Sequence, residues 1–293
     1  PQGSEVIPNP VGTAPGFWLE KQGRIVVALP GVAQELRAMF SETVLPKLRK
    51  LSGPEALIIR NLHFSGIGES SLAQLLADLI PEQTNPPLAL YASGGTVRVR
   101  LAVKAASREQ GLALIAPLEE EIKRRAGDYF YGVDKESLEE VVAKAFLERG
   151  LTLAVAESCT GGLIAHRLTN IPGSSGFFQR GYVVYTNQAK IEDLGVQPAT
   201  LAAFTAYSPE VAREMAAGVR SRAGTDYGLA VTGIAGPGGA APNKPVGLAY
   251  IGLACGDNTI VQRHFWKGTR EQIKERLACA ALQLLWKTIN TGI

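Results

Sequence analysis

Leu151-Thr152-Leu153-Ala154-Val155-Ala156-Glu157-Ser158-Cys159-Thr160-Gly161-Gly162 is the stretch that decides the fold. Its first six residues form a short apolar run that reads as a buried strand. Glu157 to Gly162 then turn tightly into a predicted helix over Thr160–Leu168. A buried strand that turns into a helix is the building unit of an α/β sheet, and ligands bind such sheets at the carboxyl ends of their strands. On either side the same alternation continues. A helix over Glu136–Glu148 ends at Gly150, a glycine suited to the left-handed position after a helix. Downstream follow strand Gly181–Tyr185, a helix around Gln188–Leu194, helix Pro209–Arg222 and strand Tyr227–Thr232. A hairpin of Val246–Ala254 with Ile260–Phe265 crosses Gly256-Asp257-Asn258, and helix Thr269–Ile289 closes the chain. This order predicts a three-layer α/β domain over residues 133–293.

Upstream, residues 56–132 read as a small α+β unit. Strand Ala56–Phe64, helix Ser70–Ile80, a hairpin of Leu88–Ala92 with Thr96–Val103 across Ser93-Gly94-Gly95, and helix Ser107–Arg125 give the order β-α-β-β-α. Ala126–Val133 reads as a short connection. Residues 1–55 hold Gly- and Pro-rich loop material, strand Arg24–Leu29 and a helix from Val32 to about Leu51 that Pro46 is expected to kink or split. One strand and one helix do not make a stable domain. This part is therefore expected to be the tail of a larger α/β domain, and a start at Pro1 rather than Met suggests a fragment.

With 46% apolar and 19% charged residues, the 293-residue chain has the composition of a packed globular protein. No apolar run reaches the ~20 residues needed to span a bilayer, and the start lacks the basic and apolar regions of a signal peptide. A net charge of +3 does not imply a polyanionic partner. Cys159, Cys255 and Cys279 form no CxxC pair, which fits a reduced, cytoplasmic setting. His63, His166 and His264 form no cluster with each other or with cysteine, so no metal site is expected. The scarcity of histidine also pushes any general base onto another residue type.

Two residues on the strand-to-helix turn are candidate nucleophiles. Cys159 needs a basic neighbour to become thiolate, and Ser158 needs an adjacent base. A lysine with its pKa depressed by burial is the available base, and Lys190 in Tyr185-Thr186-Asn187-Gln188-Ala189-Lys190 is placed for it. Ordinary readings compete: Thr160 as a helix N-cap, and Lys190 as a solvated surface residue. A second glycine-rich turn, Val231-Thr232-Gly233-Ile234-Ala235-Gly236-Pro237-Gly238-Gly239, also follows a strand and suits a backbone cradle for phosphate or carbonyl oxygen. It is neither a P-loop nor a dinucleotide turn. Lys244 and Arg270 are candidates to meet a phosphate; the helix dipole disfavours a cation at Arg270, which favours a functional reading there.

Together AESCTGG, IPGSSGFFQRGYVVYTN, the Lys190 helix, TGIAGPGG and KPVG closely resemble the CinA C-terminal domain, also called PncC, the nicotinamide-nucleotide amidohydrolases. The resemblance runs over residues 134–293. PNPVGTAPGF and LPGVAQEL resemble the end of the molybdopterin-cofactor-binding-like domain of CinA proteins, and residues 56–132 resemble their KH-like domain. The expected division is therefore 1–55, 56–132 and 133–293.

The resemblance implies hydrolysis of nicotinamide mononucleotide to nicotinic acid mononucleotide and ammonia, in pyridine nucleotide recycling and without a cofactor. It implies Ser158 as nucleophile, with Lys190 and Tyr185 completing its activation. It implies substrate contacts from Thr160, Gly161, Ser174, Ser175, Thr232, Gly233 and Arg270, and it implies a homodimer. Full-length CinA proteins also carry a metal-dependent ADP-ribose pyrophosphatase in the first domain, most of whose nucleotide site this chain lacks. A non-catalytic nucleotide-binding, competence-associated protein is the rival reading. Nucleic-acid binding is a weaker one: Ser65-Gly66-Ile67-Gly68-Glu69 resembles a GxxG clamp, but Glu69 is acidic and no aromatic platform surrounds the loop.

Overall fold

The structure is a computed structural model that describes residues 1–53, 55–80 and 86–291. By internal packing the chain divides into two compact units, residues 1–58 with 104–113, and residues 59–103 with 114–293.

Strands β1 (Glu5–Ile7), β2 (Gly16–Lys21) and β3 (Arg24–Ala28) form an antiparallel sheet in the order β1-β2-β3. The loop expected before Gly16 therefore supplies a strand. Helix α1 (Ala33–Met39), a π-helical turn (Phe40–Val44) and helix α2 (Leu45–Leu51) replace the single helix expected over Val32–Leu51. The break precedes Pro46, which has no N–H for the helical ladder, and the Leu45 N–H reaches back to Phe40 O instead. Ile7, Trp18, Met39 and Val44 form a small core under this sheet.

Strand β4 (Ala56–Ser65) leads to helix α3 (Glu69–Leu75). Strands β5 (Leu88–Ser93) and β6 (Thr96–Ala105), helix α4 (Arg108–Ala126) and strand β7 (Phe130–Val133) follow. The sheet order is β5-β6-β4-β7, and the hairpin turns through Gly94 and Gly95, both at positive φ. β7 corrects the reading of Ala126–Val133 as a bare connection. It pairs antiparallel with β4, Leu62 opposite Val133, and four residues are too few to display an alternation.

The C-terminal part begins with helix α5 (Leu138–Arg149), started by a Ser137–Glu140 capping box and ended at Gly150 with φ +62°. Strand β8 (Leu153–Glu157), helix α6 (Leu163–Thr169), strand β9 (Phe178–Val183), helices α7 (Asn187–Leu194), α8 (Pro198–Phe204) and α9 (Pro209–Ala223), strands β10 (Tyr227–Gly233), β11 (Leu248–Cys255) and β12 (Asn258–Phe265), and helix α10 (Arg270–Thr291) complete it. The five strands run β12-β11-β10-β8-β9, with β10, β8 and β9 parallel and β11 and β12 antiparallel.

The two faces of this sheet differ in side-chain size because successive residues of a strand point to opposite sides. Leu153, Val155, Leu229, Val231 and Ile251 pack against α5, α6 and α10. Ala154, Ala156, Ala230 and Ala254 face the other side, against residues of α7, α8 and α9. The small face lets α9 sit almost on the sheet backbone: a Cβ at Gly228 would stand 2.3 Å from Ala216 O, and one at Gly252 2.4 Å from Ala212 O. Helices on both faces make the three-layer domain. Parallel β8 and β10 end side by side, Glu157 opposite Val231, and both glycine-rich turns leave the sheet at that edge.

Candidate active site

Ser158 is the first residue beyond β8, and its N–H donates to Val231 O at 3.0 Å, which ties the turn to β10. The chain then passes through Gly161 (φ +63°) and Gly162 (φ +94°), a left-handed pair that side chains rarely tolerate. Helix α6 begins only at Leu163, so Thr160 is not its cap. The cap is Glu157. Its buried carboxylate accepts the N–H groups of Gly162 (3.0 Å), Ile164 (3.1 Å) and Ala165 (2.8 Å). A carboxylate at a helix start satisfies otherwise unpaired donors and favours the dipole, and here it fixes the turn that carries Ser158.

Lys190 enters from α7, whose start is capped by Thr186 Oγ1 accepting the Ala189 N–H. Its side chain is 1% exposed, against the expectation of most lysines. Nζ donates to Val184 O at 2.8 Å and stands 3.2 Å from Ser158 Oγ. Burial of the ammonium pulls its pKa down to about 8, because low-dielectric surroundings penalise the charged form. A proton can therefore move between Ser158 and Lys190 without an intermediary. Burial works oppositely on the neighbouring thiol: Cys159 is pushed up to about 12 and is held protonated.

The facing wall comes from β10 and the loops around it. Thr232 Oγ1 donates to Ala206 O at 2.6 Å. Gly233 has no room for a side chain, since a Cβ there would lie 2.3 Å from that of Ala249. Arg270, the first residue of α10, donates from Nη1 to Gly236 O (2.6 Å) and from Nη2 to Tyr185 Oη (2.5 Å). A cleft of about 300 Å³ lies between these walls, and its lining includes Ser158, Lys190, Tyr185, Thr232, Gly233 and Arg270. Its charged lining residues are Lys190 and Arg270, with no Asp or Glu among the described residues that line it.

The other expected site residues are placed differently from one another. Tyr185 lines the cleft, but it is 57% exposed and its hydroxyl is bonded to Arg270, not to Ser158 or Lys190. The Thr160 side chain is fully buried with no partner for its hydroxyl among the described residues, and it does not line the cleft. Gly161 is exposed beside the cleft, its N–H donating to Ser158 O at 3.2 Å. Ser174 and Ser175 are not brought to Ser158. They precede β9, whose first residue Phe178 pairs with Leu153 at the start of β8. β8 and β9 are parallel, so these serines lie at the amino edge, about a five-residue strand, or ~16 Å, away. Lys244 is also spent elsewhere, donating to Phe204 O (2.6 Å) and Thr205 Oγ1 (2.7 Å) and lying over the Tyr207 ring.

Asn187, Ala206 and Tyr207 line the cleft unanticipated. Asn187 sits in the segment that carries Lys190 and was legible there. Ala206 and Tyr207 lie in a loop after α8 that carries no local signal. The glycine loop Ser65–Glu69 is packed against α10: Gln283 Nε2 donates to Ser65 O at 2.6 Å, and a Cβ at Gly66 would stand 2.0 Å from that nitrogen. Among the described residues no three His, Cys, Asp or Glu side chains gather in a metal-binding cluster, and no helix is long and apolar enough to cross a membrane.

Residues 135–289 match the family model of the CinA C-terminal domain, and residues 59–132 match that of the damage-inducible protein CinA KH domain. A putative competence-damage inducible protein of Moorella thermoacetica is 47% identical over 291 residues, covering 99% of this chain and 70% of the relative. Another from Caldicellulosiruptor bescii is 47% identical over 289 residues, with the same coverage. Among solved structures, the competence/damage inducible protein CihA from Agrobacterium tumefaciens is 41% identical with a TM-score of 0.51, covering 52% of this chain and 93% of that one. The competence damage-inducible protein A (ComA) from Klebsiella pneumoniae is 33% identical with a TM-score of 0.51, covering 52% and 95%.

Proposed function

This chain belongs to the CinA family, and from that premise we propose that its C-terminal domain deamidates nicotinamide mononucleotide, giving nicotinic acid mononucleotide and ammonia. The observation that carries the reading is the buried Lys190 amine 3.2 Å from Ser158 Oγ, with a pKa drawn down to about 8. At pH 7 a lysine of pKa 8 is neutral in about one molecule in ten, against fewer than one in a thousand for an exposed lysine. That is a usable population of general base.

In the proposed reaction neutral Lys190 accepts the Ser158 proton as Oγ bonds to the carboxamide carbon. The carbonyl oxygen becomes an oxyanion. The Ser158 N–H is already committed to Val231 O and the Ile234 N–H to Leu248 O, so the Cys159 N–H is the donor assigned to it. The lysine proton then passes to the departing nitrogen, the C–N bond breaks, and ammonia leaves an acyl-serine. Lys190 next takes a proton from water, whose oxygen attacks the ester and frees the carboxylate and Ser158. Tyr185, bonded to Arg270, is given a substrate-orienting role in place of the activating one. The positive lining of the cleft suits an anionic substrate. The scheme uses side-chain and backbone groups alone.

The test is ammonia release from nicotinamide mononucleotide with EDTA present, comparing the unsubstituted chain with Ser158→Ala and Lys190→Ala. Removal of either group should lower kcat by roughly a thousandfold or more, with folding preserved by circular dichroism. A folded but inactive unsubstituted chain would sink the hydrolase reading in favour of a nucleotide-binding module.

A further inference from the structure

We propose that Lys244 is a positioning residue of the cleft: it clamps Thr205 in a backbone conformation reserved for glycine, and so holds Ala206 and Tyr207 in the wall that meets the substrate; the inference rests on the deamidase reading above. Thr205 ends α8 with φ +68° and ψ +167°. That region of backbone space is essentially confined to glycine, and a β-branched side chain makes it costlier still. Helices α5, α7 and α9 end instead on Gly150, Gly195 and Gly224. A strained residue persists only where its surroundings over-determine it, and such residues gather at functional sites. The two residues that follow Thr205, Ala206 and Tyr207, both line the cleft.

Lys244 supplies the constraint. Its Nζ donates to Phe204 O at 2.6 Å and to Thr205 Oγ1 at 2.7 Å, and it lies 5.5 Å from the centre of the Tyr207 ring. The lysine is itself fixed. It closes a tight turn with Ala241 through paired backbone bonds of 3.0 and 2.9 Å, in the loop between β10 and β11 whose Gly236 O is bonded by Arg270. On the other side of Thr205, Ala206 O accepts the Thr232 hydroxyl at 2.6 Å. Thr232 has one hydroxyl proton, and with it given to Ala206 O the oxygen can only accept from a ligand, as from a carboxamide N–H. A lysine that merely bonds the last carbonyls of a helix would serve stability alone. Here its removal frees Thr205 to relax towards an ordinary backbone, which turns Ala206 O and the Tyr207 ring out of the cleft wall. Ser158 and Lys190 are untouched, because their own bonds run to Val231 O and Val184 O. The loss therefore falls on substrate binding rather than on the chemical step.

The experiment measures ammonia release from nicotinamide mononucleotide by the unsubstituted chain, Lys244→Met, Thr205→Gly and the double substitution. Lys244→Met should raise KM about tenfold, the scale of one hydrogen bond to a charged group, with kcat kept within about threefold. Glycine adopts the conformation at position 205 unaided, so in the Thr205→Gly background the same substitution should change KM by less than about twofold. An unchanged KM in Lys244→Met overturns the proposal, as does a fall in kcat instead, or an equal rise in KM in both backgrounds. If the unsubstituted chain releases no ammonia, the deamidase reading fails, and amide hydrogen exchange decides the clamp separately. The Thr205 N–H, bonded to Leu201 O at 3.0 Å, should then exchange about tenfold faster in Lys244→Met. The amide at position 205 should show no such change between Thr205→Gly and the double substitution. Exchange that Lys244→Met leaves unaffected, or speeds equally in both backgrounds, overturns the proposal.

Discussion

Replacing Lys190 with methionine isolates the protonation state on which the proposed chemistry depends. The amine is 1% exposed and burial draws its pKa to about 8, against ~10.4 for an exposed lysine. Between those two values the unfolded chain holds a proton at this site that the native chain does not. Stability therefore rises with pH across that window. Below pH 8 both states are protonated and the buried charge costs its full ~3 kcal/mol; above about pH 10.5 both are neutral and the cost vanishes. Methionine has similar length and no proton to lose, so pH-independent terms, including the lost bond to Val184 O, cancel when the two proteins are compared at two pH values. From pH 7 to pH 9.5 the unsubstituted protein should gain about 2 kcal/mol relative to Lys190→Met. Urea unfolding at both pH values, followed by far-ultraviolet circular dichroism, measures the gain. A difference that stays constant within a few tenths of a kcal/mol refutes a depressed pKa at Lys190. A difference that shrinks as pH rises would mean that the native state favours the charged amine.

Glu157→Ala leaves the N–H groups of Gly162, Ile164 and Ala165 without their acceptor and should cost about 3 kcal/mol or more; a loss below about 1 kcal/mol in denaturant unfolding would show that water or another group replaces the carboxylate. Cys159→Ala should keep activity within a few fold, because a thiol held near pKa 12 supplies little thiolate at neutral pH. Loss of the proposed activity on treating the unsubstituted protein with iodoacetamide at pH 8, absent in Cys159→Ala, would put the thiol in the chemistry.

The C-terminal fold was legible because its strands are buried in one sheet and bounded by turn signals. β8 reads as an apolar run with small residues on one face, and the glycines of 161 and 162 mark the turn after it. What escaped was short or depended on distant partners. β1 and β7 have few residues and show no alternation, and β2 starts at a glycine directly after a Gly- and Pro-rich stretch. α8 starts at Pro198 directly behind α7, with only Gly195, Val196 and Gln197 between them, too brief a break for a boundary to stand out in the sequence. The π-helical turn before Pro46 follows from proline chemistry, but the kind of break is set by how the two half-helices pack.

The site divides along the same physical line. Ser158, Thr232 and Gly233 are placed by the ends of β8 and β10, and residues at strand ends share an edge whenever the strands are parallel neighbours. Chain direction makes the opposite demand on Ser174 and Ser175. They sit in a motif-like segment, but they lead into β9 rather than out of it, so parallel pairing with β8 sends them to the far edge. Local sequence gives a residue's chemistry and its position relative to its own strand; which edge that becomes depends on the pairing. Lys190 needs one more step, since α7 must fold back over the end of β8 before its amine meets Ser158. Its burial, and with it the lowered pKa, belongs to tertiary packing. The candidate base could be named from the scarcity of histidine, whereas its protonation state could be read only from the fold.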